Sequence, residues 1–514
     1  MKNYIISIIL FGAVSLFFTG CSEDFLTKEP YASQTELVYF KTSVELDEAL
    51  TGAYKAISAS GFKTGVEFTW WSLGNIGSDD ALMGSGTEAK DPQLQDISMS
   101  RQLSSNTRNA AYWSAFYTGI SRANLVIDKS SVVSGDTATI NSITRQAKFL
   151  RALCYYNLVT YWGNVPLFTS YAEVATAIRA KSPAADIWAL IIQDCKDATK
   201  LPTRSGWGET QYGRITSGAA WSLLGKSYMW QKKYDEAASA FKKVIDSKEY
   251  SLVSDYGKVF RDEGNNSSES IFETQHVGAN AASLGSINVA MQLPEEMSGF
   301  TYNSPTQNLF DEFEQGDPRI IYTFLFKGDK FPTKTGTLTL TNKNSMTPYS
   351  SRKAFVPPLV VDLQNSLYDI AQNVRYLRYS EVLLQYAEAL NETGKSADAL
   401  PFLEMVRARA RQTPTTDPQR TSCAFDLSYT GDLLPAVTTT DQSALRNAIY
   451  HEYRVELGAE GHRREILLRT GKFFEQMNKV KNLSLTDAET YSFMPIPVDD
   501  IMKSNGVLVQ NGKY

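Results

Sequence analysis

The sequence predicts a mostly α-helical protein whose helices are arranged in pairs, and three observations support that fold class. Residues 217–245 carry the signature of a tetratricopeptide (TPR) unit, a helix–turn–helix of about 34 residues. A second, partial copy lies at 383–406. Helical periodicity recurs before the first copy and after the second, and a chain of 514 residues, 43% of them hydrophobic, can bury a large core.

The N-terminus predicts export and lipid attachment. Lys2 precedes an apolar run at 5–18 that is too short to span a bilayer comfortably, and Thr19, Gly20 and Cys21 follow. This pattern predicts a signal peptide at 1–20 and a bacterial lipobox, in which Cys21 is acylated and becomes the first residue. Phe18 departs from the usual leucine of that motif, so a plain secretory cleavage site is the alternative.

Charge and cysteine content argue against a nucleic-acid-binding protein and against a disulfide-stabilised one. A net charge of −5 without a basic cluster predicts no nucleic-acid partner. Beyond Cys21 the chain has Cys154, Cys195 and Cys423, an odd number that argues against a disulfide framework in an exported protein. Cys154 and Cys195 lie within helical patterns and are expected to be small core residues.

The first half of the chain predicts four helices and one long loop. Apolar residues at helical spacing place the helices at 43–57, 110–129, 142–162 and 183–200. Gly163 ends the third helix, and Pro183 opens the fourth. Between the first two helices, residues 61–92 contain six glycines and two adjacent tryptophans, which predicts an ordered loop. We extrapolate that the first helix pairs with the second and the third with the fourth.

The third pair contains the TPR signature itself, with helices predicted at 217–231 and 234–247. The six matching positions are Trp221, Leu224, Gly225, Tyr228, Ala237 and Phe241. Gly225 lets the two helices approach closely, whereas Glu249 stands where the signature has proline. Because one such unit cannot bury its apolar face alone, further pairs are required.

The second half of the chain predicts a large insertion before the fourth pair. The elements expected here are an irregular insertion at about 250–374 with short β-type runs at 271–274 and 337–341, helices at 376–392, 396–411 and 442–460, a further helix through Phe474 and a tail to residue 514. The insertion is rich in Gly, Asn, Ser and Thr. Gly394 marks the turn of the second TPR copy, so the helices at 376–392 and 396–411 form the fourth pair.

Motifs in a fixed order cover nearly the whole chain. They are CSEDFL at 21–26, WSAFYTGISRANLVI at 113–127, RALCYYNLVTYWGNVPLF at 151–168, GRITSGAAWSLLGKSYMW at 213–230, GDPRI at 316–320, RYSEVLLQYAEALNETG at 378–394, EYRVELGAEGHR at 452–463 and the MPIP…QNGKY ending at 494–514. This set resembles the SusD/RagB family, the surface nutrient-binding lipoproteins of Bacteroidetes-type bacteria. Two positions depart from the family's pattern: Tyr453 stands where arginine is usual, and Ile466 where aspartate is common.

The resemblance implies a fold, a location and a partner. The fold is a SusD-like α-helical scaffold in a single domain at 21–514, with four TPR-type pairs on one face and the irregular insertion on the other. The location is the outer-membrane surface, where a lipid on Cys21 anchors the protein over a SusC-like TonB-dependent transporter. Members of the family capture oligosaccharides, or occasionally peptides, without cleaving them, and no cofactor is expected.

An enzyme and a protein–protein scaffold are the alternatives that the residues leave open. The chain has three histidines, His276, His451 and His462, and His451 lacks the second histidine of an H-E-x-x-H zinc site. No G-x-S-x-G elbow, P-loop or cysteine–histidine metal spacing is present. Abundant carboxylates leave a two-acid glycoside hydrolase open, although TPR-type helices usually form binding surfaces. We therefore predict no catalytic residue and no metal site.

Two loops offer the side chains that a sugar site needs. Aromatic rings contact the C–H face of a sugar, and Asn, Asp, Gln or Arg groups hydrogen-bond its hydroxyls. The predicted ligand-binding residues are Trp70, Trp71, Asn75, Asp79 and Asp80 in the first loop, and Phe300, Tyr302 and Asn303, with Asn288 and Gln292, in the second. Core packing is the alternative for each aromatic. Because adjacent side chains point to different faces, one of Trp70 and Trp71 is expected to meet a ligand. Trp207 is a loop aromatic of unassigned role.

Overall fold

Helices form most of the described structure, as the sequence predicts. The structure is a computed structural model that describes residues 39–58, 65–84, 91–278, 285–357 and 370–514. The predicted signal peptide, the lipobox and Cys21 lie outside these residues. Within them, no helix is both long and apolar enough to cross a membrane.

The secondary structure of the described residues consists of helices with short strands between them. The α-helices are α1 (Ser43–Ile57), α2 (Val66–Trp71), α3 (Pro92–Ser98), α4 (Thr107–Lys129), α5 (Thr137–Trp162), α6 (Tyr171–Thr176), α7 (Ala184–Ala198), α8 (Arg204–Trp207), α9 (Ser217–Trp230), α10 (Tyr234–Asp246), α11 (Ile287–Gln292), α12 (Gln307–Phe310), α13 (Ile320–Thr323), α14 (Tyr379–Glu392), α15 (Ser396–Gln412), α16 (Gln442–Leu457), α17 (Arg463–Arg469), α18 (Phe473–Lys481), α19 (Ala488–Tyr491) and α20 (Val498–Lys503). The strands are β1 (Ala81–Leu82), β2 (Ser270–Thr274), β3 (Ser304–Pro305), β4 (Phe324–Phe326), β5 (Lys330–Thr333), β6 (Gly336–Thr339), β7 (Tyr349–Ser351) and β8 (Val374–Arg378).

The four predicted helix pairs form one continuous array, which confirms the TPR-type scaffold. The pairs are α1 with α4, α5 with α7, α9 with α10, and α14 with α15. Successive pairs pack through α4 on α5, α7 on α9, and α10 on α14, and α16 packs on α14. The hydrophobic core of the array includes Leu50, Phe116, Leu153, Phe241 and Leu403. The third and fourth pairs are therefore neighbours in space although the insertion separates them in sequence.

Local hydrogen bonds place several helix ends away from their predicted positions. α5 begins at Thr137 rather than at 142, because the Asp136 side chain accepts a hydrogen bond from the backbone N–H of Thr139 at 2.8 Å and caps the helix. α14 begins at Tyr379 rather than at 376, because the preceding residues form β8 against β2. α16 ends at Leu457 rather than at 460, where Gly458 leaves the helical conformation.

A helix and a π-helical turn at Ser72–Ile76 replace part of the loop predicted at 61–92. All residues of α2 and of this turn are buried, the polar Glu67 and Thr69 included, so no apolar face at helical spacing marks the helix in the sequence. A Cβ added to Gly74 in the turn would lie 1.8 Å from the carbonyl oxygen of Gly461. Glycine at this position lets the turn pack directly against the C-terminal region.

Short antiparallel strand pairs organise the insertion. β2, predicted at 271–274, pairs with β8 directly before α14 and so ties the insertion to the fourth helix pair. β4 pairs with β7 and β5 with β6, and β6 covers most of the run predicted at 337–341. Two smaller cores, one around Phe324 and one around Phe331, lie within the insertion.

Four buried charged residues join the insertion, the fourth helix pair and α16; we call them the buried junction. Glu456 on α16 accepts hydrogen bonds from Arg319 (3.1 Å), Arg378 (3.0 Å) and Arg409. Arg319 precedes α13, Arg378 ends β8, and Arg409 lies on α15. Burial alone would raise the pKa of Glu456, but the charges of Arg409, Arg378 and Arg319 outweigh it and hold that pKa well below its usual range.

The two departures from the family's pattern are accommodated within the fold. Tyr453 donates a hydrogen bond to Glu388 Oε2 at 2.8 Å, and Arg469 binds the same carboxylate at 2.6 and 2.7 Å. Ile466 is buried in the main core. Tyrosine at position 453 thus keeps a polar contact to a buried carboxylate without adding a charge.

Gly225 on α9 faces Phe241 on α10, as the TPR signature predicts. A Cβ on Gly225 would lie 2.5 Å from Cε1 of Phe241, so even alanine forces the ring or a helix to shift. We expect Gly225→Ala to lower the free energy of unfolding by about 1–3 kcal/mol, and Gly225→Leu to lower it further. Chemical denaturation of the purified variants measures this change.

Gly52 on α1 supplies the matched control for that prediction. No described heavy atom beyond its own stretch of helix lies within 4 Å of a Cβ at this position. Gly52→Ala is therefore expected to raise the free energy of unfolding by about 0.5–1 kcal/mol, since alanine favours a helix interior over glycine. Changes of the same sign in both variants would contradict the close helix–helix approach at Gly225.

Candidate functional site

The two loops predicted to bind a ligand meet in the structure. β1 follows the π-helical turn and pairs with β3, so that Ala81 lies opposite Pro305 and Leu82 opposite Ser304. Thr306 extends the contact: its backbone N–H donates to the Asp80 carbonyl oxygen, and its hydroxyl donates to the Asp79 carbonyl oxygen, both at 2.8 Å. The first loop and the second loop therefore form one region on the insertion side of the scaffold.

A small pocket lies where α2, α11 and the segment before β8 come together; we call it the tryptophan pocket. Its lining includes Trp70, Trp71, Val289, Gln292, Lys353, Gln372, Asn373 and Arg375. Its volume is about 70 Å³. Since a water molecule occupies roughly 30 Å³ of liquid, the pocket holds about two waters and not a whole ligand ring. A larger ligand would contact this pocket from outside.

Both indole rings of the pocket are largely packed against other aromatic side chains. Trp70 is 6% exposed, and its ring centroid lies 4.9 Å from that of Tyr376 and 5.0 Å from that of His462. Trp71 is 3% exposed and packs edge-on against Phe68 at 5.1 Å. Only a small part of either ring is open to a ligand in this conformation.

Asn75, Asp79 and Asp80 hold the first loop against α16 and α17. The Asn75 side chain donates to the Ala459 carbonyl oxygen at 2.9 Å and accepts from the Gly461 N–H at 2.6 Å. Asp79 binds Arg463 through two hydrogen bonds of 2.8 Å, and Asp80 accepts from Arg454 at 3.0 Å. All three predicted ligand contacts are buried. Their contact with a ligand stays a prediction, and it would require the loop to open.

The pKa values of Asp79 and Asp80 are shifted in opposite directions. Burial by itself would raise the pKa of Asp79, but Arg463 and Arg454 lower it to about 2. Burial raises the pKa of Asp80, which Arg454 and Arg463 do not fully offset, and the neighbouring Asp79 charge adds to the rise. The charge of Asp79 thus fixes the two arginines and, through them, the position of the loop.

The second loop contains the most open of the four predicted stacking rings. Phe300 is half-buried, whereas Tyr302 and Asn303 are fully buried. The Phe300 and Tyr302 ring centroids are 5.5 Å apart. Asn303 donates to the Gln292 side chain at 2.7 Å, and the Phe300 N–H donates to the Ala290 carbonyl oxygen at 3.3 Å. Phe300 therefore lies on a loop that is anchored to α11, the helix whose Val289 and Gln292 line the tryptophan pocket.

Apart from Gln292, the polar lining of the tryptophan pocket comes from residues that the sequence analysis did not single out. Lys353 donates to Glu460 Oε1 at 2.7 Å and to the Glu456 carbonyl oxygen at 3.0 Å, and burial lowers the pKa of Lys353 to about 8. Gln372 is 3% exposed and donates to the Lys353 carbonyl oxygen at 3.1 Å. Its Oε1 atom has no hydrogen-bond partner among the described residues. This amide oxygen is itself buried within the lining of the pocket.

Trp207 and Asn288, also considered as ligand contacts, contribute no described side chain to this region. Trp207 is half-buried, and its indole N–H donates to the Ile215 carbonyl oxygen at 2.9 Å at the end of α8. It lines a separate hollow together with Arg204 and Tyr212. The side chain of Asn288 lies outside the described residues.

The histidines are each paired with a carboxylate. His276 lies 2.8 Å from Glu67, and His451 lies 2.8 Å from Glu312. His462 Nδ1 lies 3.4 Å from a carboxylate oxygen of Glu381. Over the ranges that the structure describes, no group of three or more His, Cys, Asp or Glu side chains is placed to hold a metal ion.

Two family models together match most of the chain. The model described as the SusD family matches residues 255–514, and a model described as starch-binding associating with outer membrane matches residues 24–229. A tetratricopeptide repeat model matches residues 219–247, the unit that the signature at 217–245 predicts.

Individual relatives and solved structures are similar over most of their lengths. A SusD-like protein of Formosa agariphila is 27% identical over 507 residues, which cover 93% of this chain and 94% of the relative. A solved structure described as a laminarin-binding SusD-like protein is 28% identical with a TM-score of 0.74, and covers 92% of this chain and 100% of its own. The structure of surface glycan-binding protein A from Bacteroides thetaiotaomicron in complex with laminarihexaose is 21% identical, with a TM-score of 0.73, and covers 92% of this chain and 100% of its own. This similarity shows a shared fold.

Proposed function

The chain belongs to the SusD family, and we propose that it is a cell-surface glycan-binding lipoprotein that delivers oligosaccharides to a SusC-like TonB-dependent outer-membrane transporter. The relative of 28% identity, described as laminarin-binding, supports the glycan-binding part, as does the starch-binding family model. The lipid anchor on Cys21 and the transporter are inferred from the N-terminal motif and from family membership. We propose binding without cleavage, so purified protein should release no reducing ends from a glycan that it binds.

The observation that carries this proposal is the pairing of β1 with β3, which brings the two aromatic loops into one region of the molecule. Phe300 is half-buried in the second loop, Trp70 and Trp71 line the pocket, and Gln372 and Arg375 add polar side chains to its lining. A sugar combines an apolar C–H face with hydroxyl groups, so it suits this mixture of rings and amides. Because a surface site desolvates few side chains completely, we expect a Kd of roughly micromolar to millimolar.

Phe300→Ala is expected to raise the Kd for glycan about tenfold, which corresponds to ~1.4 kcal/mol. The change removes the most open of the four rings while leaving the buried rings in place. Laminarin oligosaccharides are the first probe, because the relative of 28% identity is described as binding laminarin. Isothermal titration of the mature chain measures the change.

Phe402→Ala is the matched control, since Phe402 is also half-buried but lies on α15, where its ring packs 4.6 Å from Tyr386. It should leave the Kd unchanged. Equal weakening by both variants, or none by Phe300→Ala, would show that Phe300 does not contact the glycan. Alanine at Trp70, Trp71 or Tyr302 should also weaken binding, but with a loss of stability because those rings are buried.

A further inference from the structure

A second cleft lies on another part of the surface, between α4, the segment after α5, and α20. Its volume is about 410 Å³, within the range of small-molecule sites, roughly 300–1,000 Å³. It shares no lining residue with the tryptophan pocket. The proposed function makes no use of it.

One side of this cleft is an aromatic wall, in which Tyr117 is half-buried whereas Trp113 and Phe168 are buried. Trp113 and Tyr117 lie one turn apart on α4 with ring centroids 4.9 Å apart, and Phe168 follows at 5.8 Å from Tyr117. Tyr117 donates its O–H to the Pro166 carbonyl oxygen at 2.8 Å. The backbone N–H of Phe168 donates to the Tyr155 hydroxyl at 2.7 Å. Helices and hydrogen bonds therefore fix the wall in place before any ligand arrives.

Two polar groups beside this wall have no hydrogen bond to the described residues, whereas Arg179 in the same cleft pairs with Glu173. Asp500, on α20, is half-buried, and its carboxylate has no hydrogen bond or ion pair among the described residues. Burial raises the pKa of Asp500. Trp113 is 4% exposed, and its indole N–H likewise has no partner in the described part of the chain. An acceptor and a donor thus flank the aromatic wall with their capacity free.

The chemistry of the cleft favours a neutral ligand over a charged one. Arg179 already pairs with Glu173, so the lining of the cleft offers no free guanidinium for an anion. Lys503 lies beside Asp499 and Asp500, so the cleft does not offer a purely acidic lining for a cation either. The Arg179 guanidinium lies 5.6 Å from the centre of the Phe168 ring. A ligand with an apolar face, and with both hydroxyl donors and acceptors along its edge, matches this surface; a sugar ring has that form.

We propose that this cleft is a second saccharide-binding site, in which a sugar ring faces Tyr117 and its hydroxyls bind Asp500 and the indole N–H of Trp113. The choice of a sugar rests on the proposed glycan binding, but the residues are independent of the tryptophan pocket. A chain with two such sites would hold one long glycan at two points, or two glycans at once. Holding at two points raises the apparent affinity for long chains over short ones.

Site-resolved carbodiimide labelling tests this proposal, because the reagent modifies free carboxyl groups. The mature chain is labelled with and without laminarihexaose, and the modification of Asp500 is read by peptide mass spectrometry. Laminarihexaose is added until about one in ten or fewer sites is empty. Under that condition we expect the modification of Asp500 to fall at least about threefold. Asp186, an exposed first-turn residue of α7, should be labelled equally in both samples.

Two variants separate the cleft from the tryptophan pocket. Ser114 is exposed and lines the cleft, so Ser114→Leu should fill the space and abolish protection of Asp500 without disturbing the core. Phe300→Ala should leave that protection intact. If the chain binds laminarihexaose in titration but Asp500 stays fully labelled, the second site is overturned and the proposed function stands. If no glycan binds in titration at all, both are overturned.

Discussion

Glu456→Gln is expected to lower the free energy of unfolding by about 3–5 kcal/mol, because it breaks the buried junction from its centre. Glu456 is fully buried and binds Arg319, Arg378 and Arg409. Loss of its charge leaves three buried guanidinium groups short of their shared partner. Arg319 keeps Asp317 and Arg378 keeps Glu269, which limits the loss.

Chemical denaturation with linear extrapolation measures this change, with Glu236→Gln as the matched control. Glu236 is exposed on α10, so its substitution should change the free energy of unfolding by less than about 0.5 kcal/mol. Similar midpoints for the two variants would contradict the view that the junction holds the insertion, the fourth pair and α16 together.

Cys21→Ala is expected to move the protein from the membrane fraction to the soluble fraction of the cell. The proposed acyl chains supply the membrane affinity, at about 0.8 kcal/mol for each buried CH₂ group, and alanine offers no sulfur to acylate. We expect the change to leave the fold intact, because the described helix pairs are built from residues 43–412. Cell fractionation followed by immunoblotting measures the shift.

The control for the anchor is Cys423→Ala, which removes a half-buried cysteine of the folded domain. That variant should stay in the membrane fraction. The experiment belongs in cells that lack the proposed transporter, so that binding to such a transporter does not retain the protein. Sedimentation of Cys21→Ala with outer membranes in those cells would contradict lipid anchoring.

The helical scaffold could be predicted from the sequence because its information is local. The TPR signature places Gly225 against Phe241, and apolar spacing places the helices of all four pairs. The spacing of apolar residues does not reveal elements that depend on contacts between residues distant in the sequence. α2 is buried on every side and so shows no amphipathic pattern, and β8 shortens α14 because it pairs with β2, which lies about a hundred residues earlier.

The candidate site was predicted only in outline. Glycine- and aromatic-rich composition identified two loops, and β1 and β3 bring them together. Composition does not reveal which side chains are exposed. The sequence predicts that Asp79 and Asp80 contact a ligand, but in the structure they pair with Arg454 and Arg463, which lie nearly four hundred residues later in the chain. Lys353 and Gln372 lie in irregular segments without periodicity, so no pattern could have placed them at the pocket.

Affinity of the mature chain for soluble glycans tests the central claim most directly. Affinity electrophoresis against a panel of polysaccharides, followed by titration with oligosaccharides of any that retard the protein, gives both the specificity and the Kd. We expect at least one glycan to bind with a Kd between about micromolar and millimolar, and Phe300→Ala to weaken it while Phe402→Ala does not. A folded chain that binds none of the glycans but binds peptides would contradict the claim.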